Sequence, residues 1–128
     1  MGEALVAGMI NGGLAARNII VCENNAERAS ELSERYDILT TDVEDAVESS
    51  DYVFVAVKPK DVKTVLAVLA DATATLENEI VVVSIAAGIP TVYYENQLSA
   101  GSPVIRVMPN TPMLVGKGVC AVSAGRYA

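Results

Sequence analysis

Two apolar segments, YVFVAV (52–57) and IVVVSI (80–85), most constrain the fold of this chain. Neither alternates polar with apolar residues, so both faces of each predicted strand must be covered. Between them, the apolar residues of DVKTVLAVLADA (61–72) recur every three or four positions, which is typical of an amphipathic helix. A strand, a helix and a second strand in this order predict a parallel sheet covered by helices.

The rest of the chain continues the alternation of strands and helices. Further strands are predicted at 19–22, 104–108 and 118–124. Further helices are predicted at 1–13, 26–36, 42–50 and 90–98, with Asp42 as an N-cap and Pro90 in a first turn. The predicted fold class is therefore α/β, with a doubly wound, mostly parallel sheet in one domain over residues 1–128. Because a strand and a glycine turn ordinarily precede the first helix of such a sheet, we expect both to lie before Met1.

Composition narrows the classes of function. The chain has a net charge of −7 and 52% hydrophobic residues, so its surface argues against nucleic acid as a partner. No apolar run approaches the roughly 20 residues that span a bilayer, and no export leader is evident, so we expect a cytoplasmic protein without a membrane segment. The absence of histidine and of CxxC argues against a zinc site. Cys22 and Cys120 stand in apolar runs and are predicted to be buried thiols.

The residues that follow the strands are candidate binding residues, because the carboxyl ends of parallel strands meet at one edge of the sheet. They are Glu23–Asn25, Lys58–Pro59, Ala86–Gly88 and the segment PNTP at 109–112. Each alone has an ordinary structural explanation, such as a turn or close packing of a strand on a helix. Together they predict a ligand that lies across this edge.

Several residues are candidates for binding a dinucleotide. The amino end of the first helix, at Gly2, would attract phosphate through the helix dipole. Glu23 would favour the ribose 2′-hydroxyl of NAD, whereas Asn24, Asn25 and Arg28 would suit the 2′-phosphate of NADP. The residues alone leave this choice open.

Four segments resemble those of a known family in both order and spacing. AVKP (56–59), VVSIAAGI (82–89) and RVMPNTPMLVGKGV (106–119) resemble the signature segments of pyrroline-5-carboxylate reductase, and MGEALVAGM (1–9) is similar to the end of its glycine-rich turn. The resemblance covers essentially the whole chain. It implies a Rossmann-like fold and the NAD(P)H-dependent reduction of 1-pyrroline-5-carboxylate to L-proline.

The resemblance also implies the site residues. Those for the cofactor are Met1, Gly2, Asn24, Ala56, Val57, Lys58, Pro59, Ile85, Ala86 and Ala87. Those for the substrate are Pro109, Asn110 and Thr111. The implied cofactor is NADP, with NAD as the alternative, and no metal and no catalytic side chain are expected. Val43 stands where many members of the family carry an asparagine near the adenine.

The family has a second, all-helical domain that forms a homo-oligomer, and the resemblance implies that it follows Ala128. We therefore expect the isolated chain to bind dinucleotide weakly and to turn over no substrate. Two alternatives remain from the sequence. One is a related β-hydroxyacid or prephenate-type dehydrogenase, which lacks the PNTP segment at this position. The other is a non-catalytic nucleotide-binding module, which the fold class alone does not exclude.

Overall fold

A computed structural model describes residues 2–109 and 120–128. The helices are α1 (Gly2–Asn11), α2 (Ala26–Tyr36), α3 (Val43–Glu48), α4 (Val62–Thr73) and α5 (Thr91–Gln97). The strands are β1 (Ile20–Val21), β2 (Leu39–Thr40), β3 (Tyr52–Val55), β4 (Val81–Ser84), β5 (Val104–Pro109) and β6 (Cys120–Ala124). None of the helices within these two ranges has the length and apolar character that crossing a membrane requires.

The strands form two sheets. In the larger sheet the order is β3–β4–β5–β6, with the first three strands parallel and β6 antiparallel. The register places Val55, Ser84 and Arg106 side by side on β3, β4 and β5. Strands β1 and β2 pair in parallel as a separate two-stranded sheet. The predicted α/β class with a mostly parallel sheet is confirmed.

Local sequence explains where the helices begin and end. Asn25 caps α2 by accepting the N–H of Arg28 at 3.1 Å, and Asp42 caps α3 by accepting the N–H of Asp45 at 2.9 Å. Helix α2 is followed by its C-cap residue, Asp37, whose φ of 55° is left-handed. The N–H of Asp37 donates to the carbonyl of Ser33 at 2.9 Å. Both helices lie within the ranges predicted for them, 26–36 and 42–50.

Two hydrophobic cores position the edge of the larger sheet. One lies between that sheet and helices α3, α4 and α5; its most deeply buried members are Val55, Val62, Leu66, Leu69, Val82, Tyr94 and Val104. The other joins α1 and α2; its buried members are Val6, Ile19, Leu32 and Ile38. Burying a large apolar side chain contributes about 1.5 to 3 kcal/mol, so these cores fix the strand ends as a rigid frame.

Several sequence predictions are corrected by the structure. Cys22 and Cys120 are exposed free thiols rather than core residues, because Cys22 follows the last residue of β1 and Cys120 is the first residue of β6. On β3, Tyr52 and Phe54 are exposed, so only one face of this strand is covered by the described residues. Strand β2 was not predicted, because two residues are too few to show a period.

Candidate functional site

The carboxyl ends of β3 and β4 bring two of the predicted segments together. The N–H of Ile85 donates to the carbonyl of Val55 at 3.2 Å, beyond the last paired residue of β4. Ala56 and Ile85 therefore leave the sheet side by side. Residues 56–59 and 85–87, predicted to line the dinucleotide, follow from these adjacent points as the parallel register requires.

The chain leaves β3 in an extended conformation. Lys58 has φ −64° and ψ 148°, as expected for a residue that precedes proline. Pro59 then begins a short 3₁₀ turn that leads into α4. Both Lys58 and Pro59 are exposed, whereas Val57 is half-buried against the larger core. This segment therefore presents backbone and a single cationic side chain at the edge of the sheet.

The turn after β4 is poor in side chains at its surface. Ala87 and Gly88 are exposed, and Gly88 has φ +76°, which an L side chain would strain. Ala86 is only 2% exposed, because its methyl group belongs to the core. Ala86 is therefore held in the core, and the open surface of the turn belongs to Ala87 and Gly88.

Buried hydrogen bonds between Ser84, Tyr94 and the N–H of Ala86 support this turn from the core. Ser84 and Tyr94 are fully buried and share a hydrogen bond, while Ser84 Oγ accepts the N–H of Ala86 at 3.2 Å. Burial raises the pKa of Tyr94, an effect that the Ser84 hydrogen bond and the charge of Arg106 oppose. No group in residues 2–109 or 120–128 hydrogen-bonds the buried Nε of Arg106. A serine inside an apolar strand was one weak indication of these hydrogen bonds.

The first turn of α1 reaches the same edge. A Cβ built on Gly2 would lie 3.5 Å from the Cβ of Ala56, which is ordinary van der Waals contact. The amino end of α1 is thus next to the residue that follows β3. Gly2 lies where the sequence predicted a phosphate-binding helix end, and Met1 lies outside the described residues.

Glu3 joins α1 to α2 through the two arginines and one tyrosine that contact it. Its carboxylate accepts hydrogen bonds from Arg28 and Arg35, and from the Tyr36 hydroxyl at 2.8 Å. The hydrogen bond from Arg28, followed by those from Tyr36 and Arg35, lowers the pKa of Glu3 to about 2. Because these partners are 25 or more positions away along the chain, sequence patterns did not indicate the cluster.

A cleft of about 490 Å³ lies where β1 and β2 end. Its lining consists of Cys22, Glu23, Asn24, Ala29, Thr40, Thr41, Asp42, Val43 and Val68. Asn24 is exposed and lines this cleft, and Val43 lines it too. Although Cys22 is exposed, the atoms packed around its thiol partly desolvate it, and this, with the nearby Asp42 carboxylate, raises the pKa of the thiol. The carboxylate of Glu23 accepts the N–H of Asn25 at 3.1 Å.

A second cleft, of about 270 Å³, lies at the opposite edge of the larger sheet. Its lining includes Glu79 and Ile80, which precede β4, and Pro103, which precedes β5. It is therefore at the amino ends of the strands. Of the predicted site residues that the structure describes, none lines it.

The substrate-binding prediction falls largely outside the described residues. Pro109 is the last residue of β5 and pairs with Cys120, while Asn110 and Thr111 lie beyond the described range. Within residues 2–109 and 120–128, no group of three or more metal-ligating side chains is placed to hold an ion.

Comparison with known proteins identifies relatives of this fold and sequence. Residues 1–88 match the model of a family described as NADP oxidoreductase, coenzyme F420-dependent. Pyrroline-5-carboxylate reductases from Corynebacterium melassecola and Mycobacterium tuberculosis are 50% and 46% identical to the chain, each over 99% of it. The chain spans 47% and 44% of the length of these two relatives.

A solved structure gives the same result in three dimensions. The pyrroline-5-carboxylate reductase from Coxiella burnetii superposes with a TM-score of 0.91 at 30% identity, over 99% of this chain and 47% of the other. The resemblance to pyrroline-5-carboxylate reductases that the motifs predicted is therefore confirmed.

Proposed function

Because the chain belongs to the NADP oxidoreductase family that its first 88 residues match, we propose that it is the cofactor-binding part of a pyrroline-5-carboxylate reductase. The reaction is the reduction of 1-pyrroline-5-carboxylate to L-proline, the last step of proline biosynthesis, with NADPH as the reductant and NADH as the alternative. The similarity to reductases of this name over 99% of the chain supports the assignment.

The observation that carries the proposal is the edge formed by β3, β4 and the first turn of α1. Three backbone segments converge there: the end of β3, the end of β4 and the amino end of α1. In the proposed arrangement the pyrophosphate lies at Gly2, the adenosine half extends to Asn24, and the nicotinamide half lies over 85–87. Residues 56–59 line the middle of the dinucleotide.

The proposed hydride transfer requires no catalytic side chain from this chain. The bound cofactor supplies a hydride to the imine carbon. The chain positions the two reactants, since a separation of roughly 3 to 3.5 Å is what such a transfer needs. Ala87 leaves room for a flat ring, and the buried bond between Ser84 and Ala86 keeps the turn rigid. Pro109, Asn110 and Thr111 would form one wall of the substrate pocket, and a water or another polar group would protonate the nitrogen.

The partners of the proposed enzyme follow from the family resemblance. A helical domain after this one would form the homo-oligomer and complete the substrate site. The acidic surface disfavours nucleic acid as a partner, and we place the enzyme in the cytoplasm, where amino-acid biosynthesis occurs.

A turnover assay tests the proposal. The protein at its natural length, mixed with 1-pyrroline-5-carboxylate and NADPH, should oxidise the cofactor and form proline. Ala87→Phe, which adds a ring on the exposed surface of the turn, should lose most of this activity. Ala100→Phe is the matched control, because this exposed alanine lines the cleft at the opposite edge. Equal activity of the two variants would refute the location of the site, and dinucleotide binding without turnover would favour a non-catalytic module.

A further inference from the structure

The adenosine end of the proposed site carries more negative than positive charge. Glu23 and Asp42 both line the cleft beside Asn24. A ligand with a 2′-phosphate would add two further negative charges here. Arg28, four positions after Asn24, is the first cation that follows it along the chain, and its backbone N–H donates to Oδ1 of Asn25 at 3.1 Å.

The guanidinium of Arg28 already has two carboxylate partners. Its Nη1 donates to Glu31 at 3.1 Å, and its Nη2 donates to Glu3. The Glu31 pair lies within one helix, whereas the Glu3 pair connects α2 to the first turn of α1. A guanidinium has five N–H donors in one plane, so each carboxylate that it holds removes donors from a phosphate.

Glu3 is ionised over the whole range in which the protein would work. Arg35 and Tyr36 also donate to it, which keeps its carboxylate beside Arg28. A 2′-phosphate at Asn24 and Asn25 would therefore have to compete with a fixed anion for the same guanidinium.

We infer that Glu3 is a specificity-determining residue, which sets the preference between NADPH and NADH by competing with the 2′-phosphate for Arg28. This inference rests on the proposed function, since it assumes that the adenosine half of a dinucleotide lies in the cleft at Asn24. NADH, which lacks the 2′-phosphate, does not meet this competition. Any effect of Glu3 on the shared pyrophosphate changes both affinities together and cancels from their ratio.

The test is to measure the dissociation constants of NADPH, NADH, 2′,5′-ADP and 5′-AMP for the protein at its natural length. In Glu3→Gln the affinity ratio of NADPH to NADH should rise by about 1.4-fold to fivefold, the range expected for an exposed ion pair. The ratio of 2′,5′-ADP to 5′-AMP should rise by the same factor. Glu34→Gln, on the exposed side of α2, removes the same charge and should leave both ratios unchanged.

A double-mutant cycle separates competition from a change in folding. Arg28→Gln should lower NADPH binding without changing NADH binding, and Glu3→Gln should then have no further effect on the ratio. An unchanged or decreased ratio in Glu3→Gln alone, with NADH binding retained, would overturn the inference while leaving the proposed function intact. If the unmodified protein binds none of the four ligands, the proposed function fails and the inference fails with it.

Discussion

The buried hydrogen bonds around Ser84 give a quantitative prediction about the turn at the edge of the sheet. In Tyr94→Phe the Ser84 hydroxyl loses one partner but still accepts the N–H of Ala86. An unsatisfied buried polar group costs about 1 to 3 kcal/mol, so the free energy of unfolding should fall by about that amount. In Ser84→Ala both the Tyr94 hydroxyl and the Ala86 N–H lose their partner, so the loss should be roughly twice as large.

The double variant distinguishes this explanation from two independent packing losses. With both hydroxyls removed, only the N–H of Ala86 remains without its partner, so the double variant should be less destabilised than the sum of the two single variants. Residues in direct contact couple by about 0.5 to 3 kcal/mol, and we expect the coupling to fall in that range. Urea denaturation at constant slope, applied to the unmodified protein and the three variants, provides the four free energies of unfolding. Additivity within about 0.3 kcal/mol would refute the reasoning.

Three further perturbations test the core, the acid cluster and the backbone. In urea denaturation, Leu66→Ala, at a side chain only 1% exposed, should lower the free energy of unfolding by about 2 to 5 kcal/mol. The control Val68→Ala, 44% exposed on the same helix, should change it by under about 0.5 kcal/mol. Hydrogen bonds from Arg28, Tyr36 and Arg35 lower the pKa of Glu3 from 4.5 to about 2, so its contribution to stability is complete above pH 4.5 and is lost as the pH falls towards 2. Thermal melts of Glu3→Gln should therefore show a weaker pH dependence in that window. An unchanged dependence would contradict the ion pairs. Gly88→Ala should destabilise the fold by about 1 to 2 kcal/mol, because the φ of Gly88 is +76°. Gly8→Ala, at an exposed position within α1, should stabilise it by up to about 1 kcal/mol. Equal shifts in melting temperature for the two variants would contradict the role of the positive φ.

The sequence predicted those parts of the fold that local patterns determine. The helix over 26–36 has the bounds that its periodicity indicated, and Asp42 caps the helix where its side-chain chemistry placed it. The strands at 52–57 and 80–85 are observed as parallel neighbours, slightly shorter than expected. A short run rich in β-branched residues was enough to predict each strand, although only one face of β3 is covered by the described residues.

Contacts between distant residues explain what the sequence could not predict. Glu3 meets partners on a different helix, and Tyr94 reaches back to Ser84 from the helix that follows the turn, so neither contact has a local period. For Cys22, a local pattern led to a wrong prediction. Its apolar neighbours predicted burial, yet β1 ends one residue earlier and leaves the thiol at the cleft.

The central claim is that a dinucleotide lies along the carboxyl ends of the strands. Hydrogen–deuterium exchange of the protein at its natural length, with and without saturating NADPH, tests this most directly. The account predicts slower exchange in peptides that cover 22–25, 55–58 and 85–88, and no change at 76–80 or 99–103 around the cleft at the opposite edge. Protection confined to that opposite cleft, with none at the carboxyl ends, would contradict it.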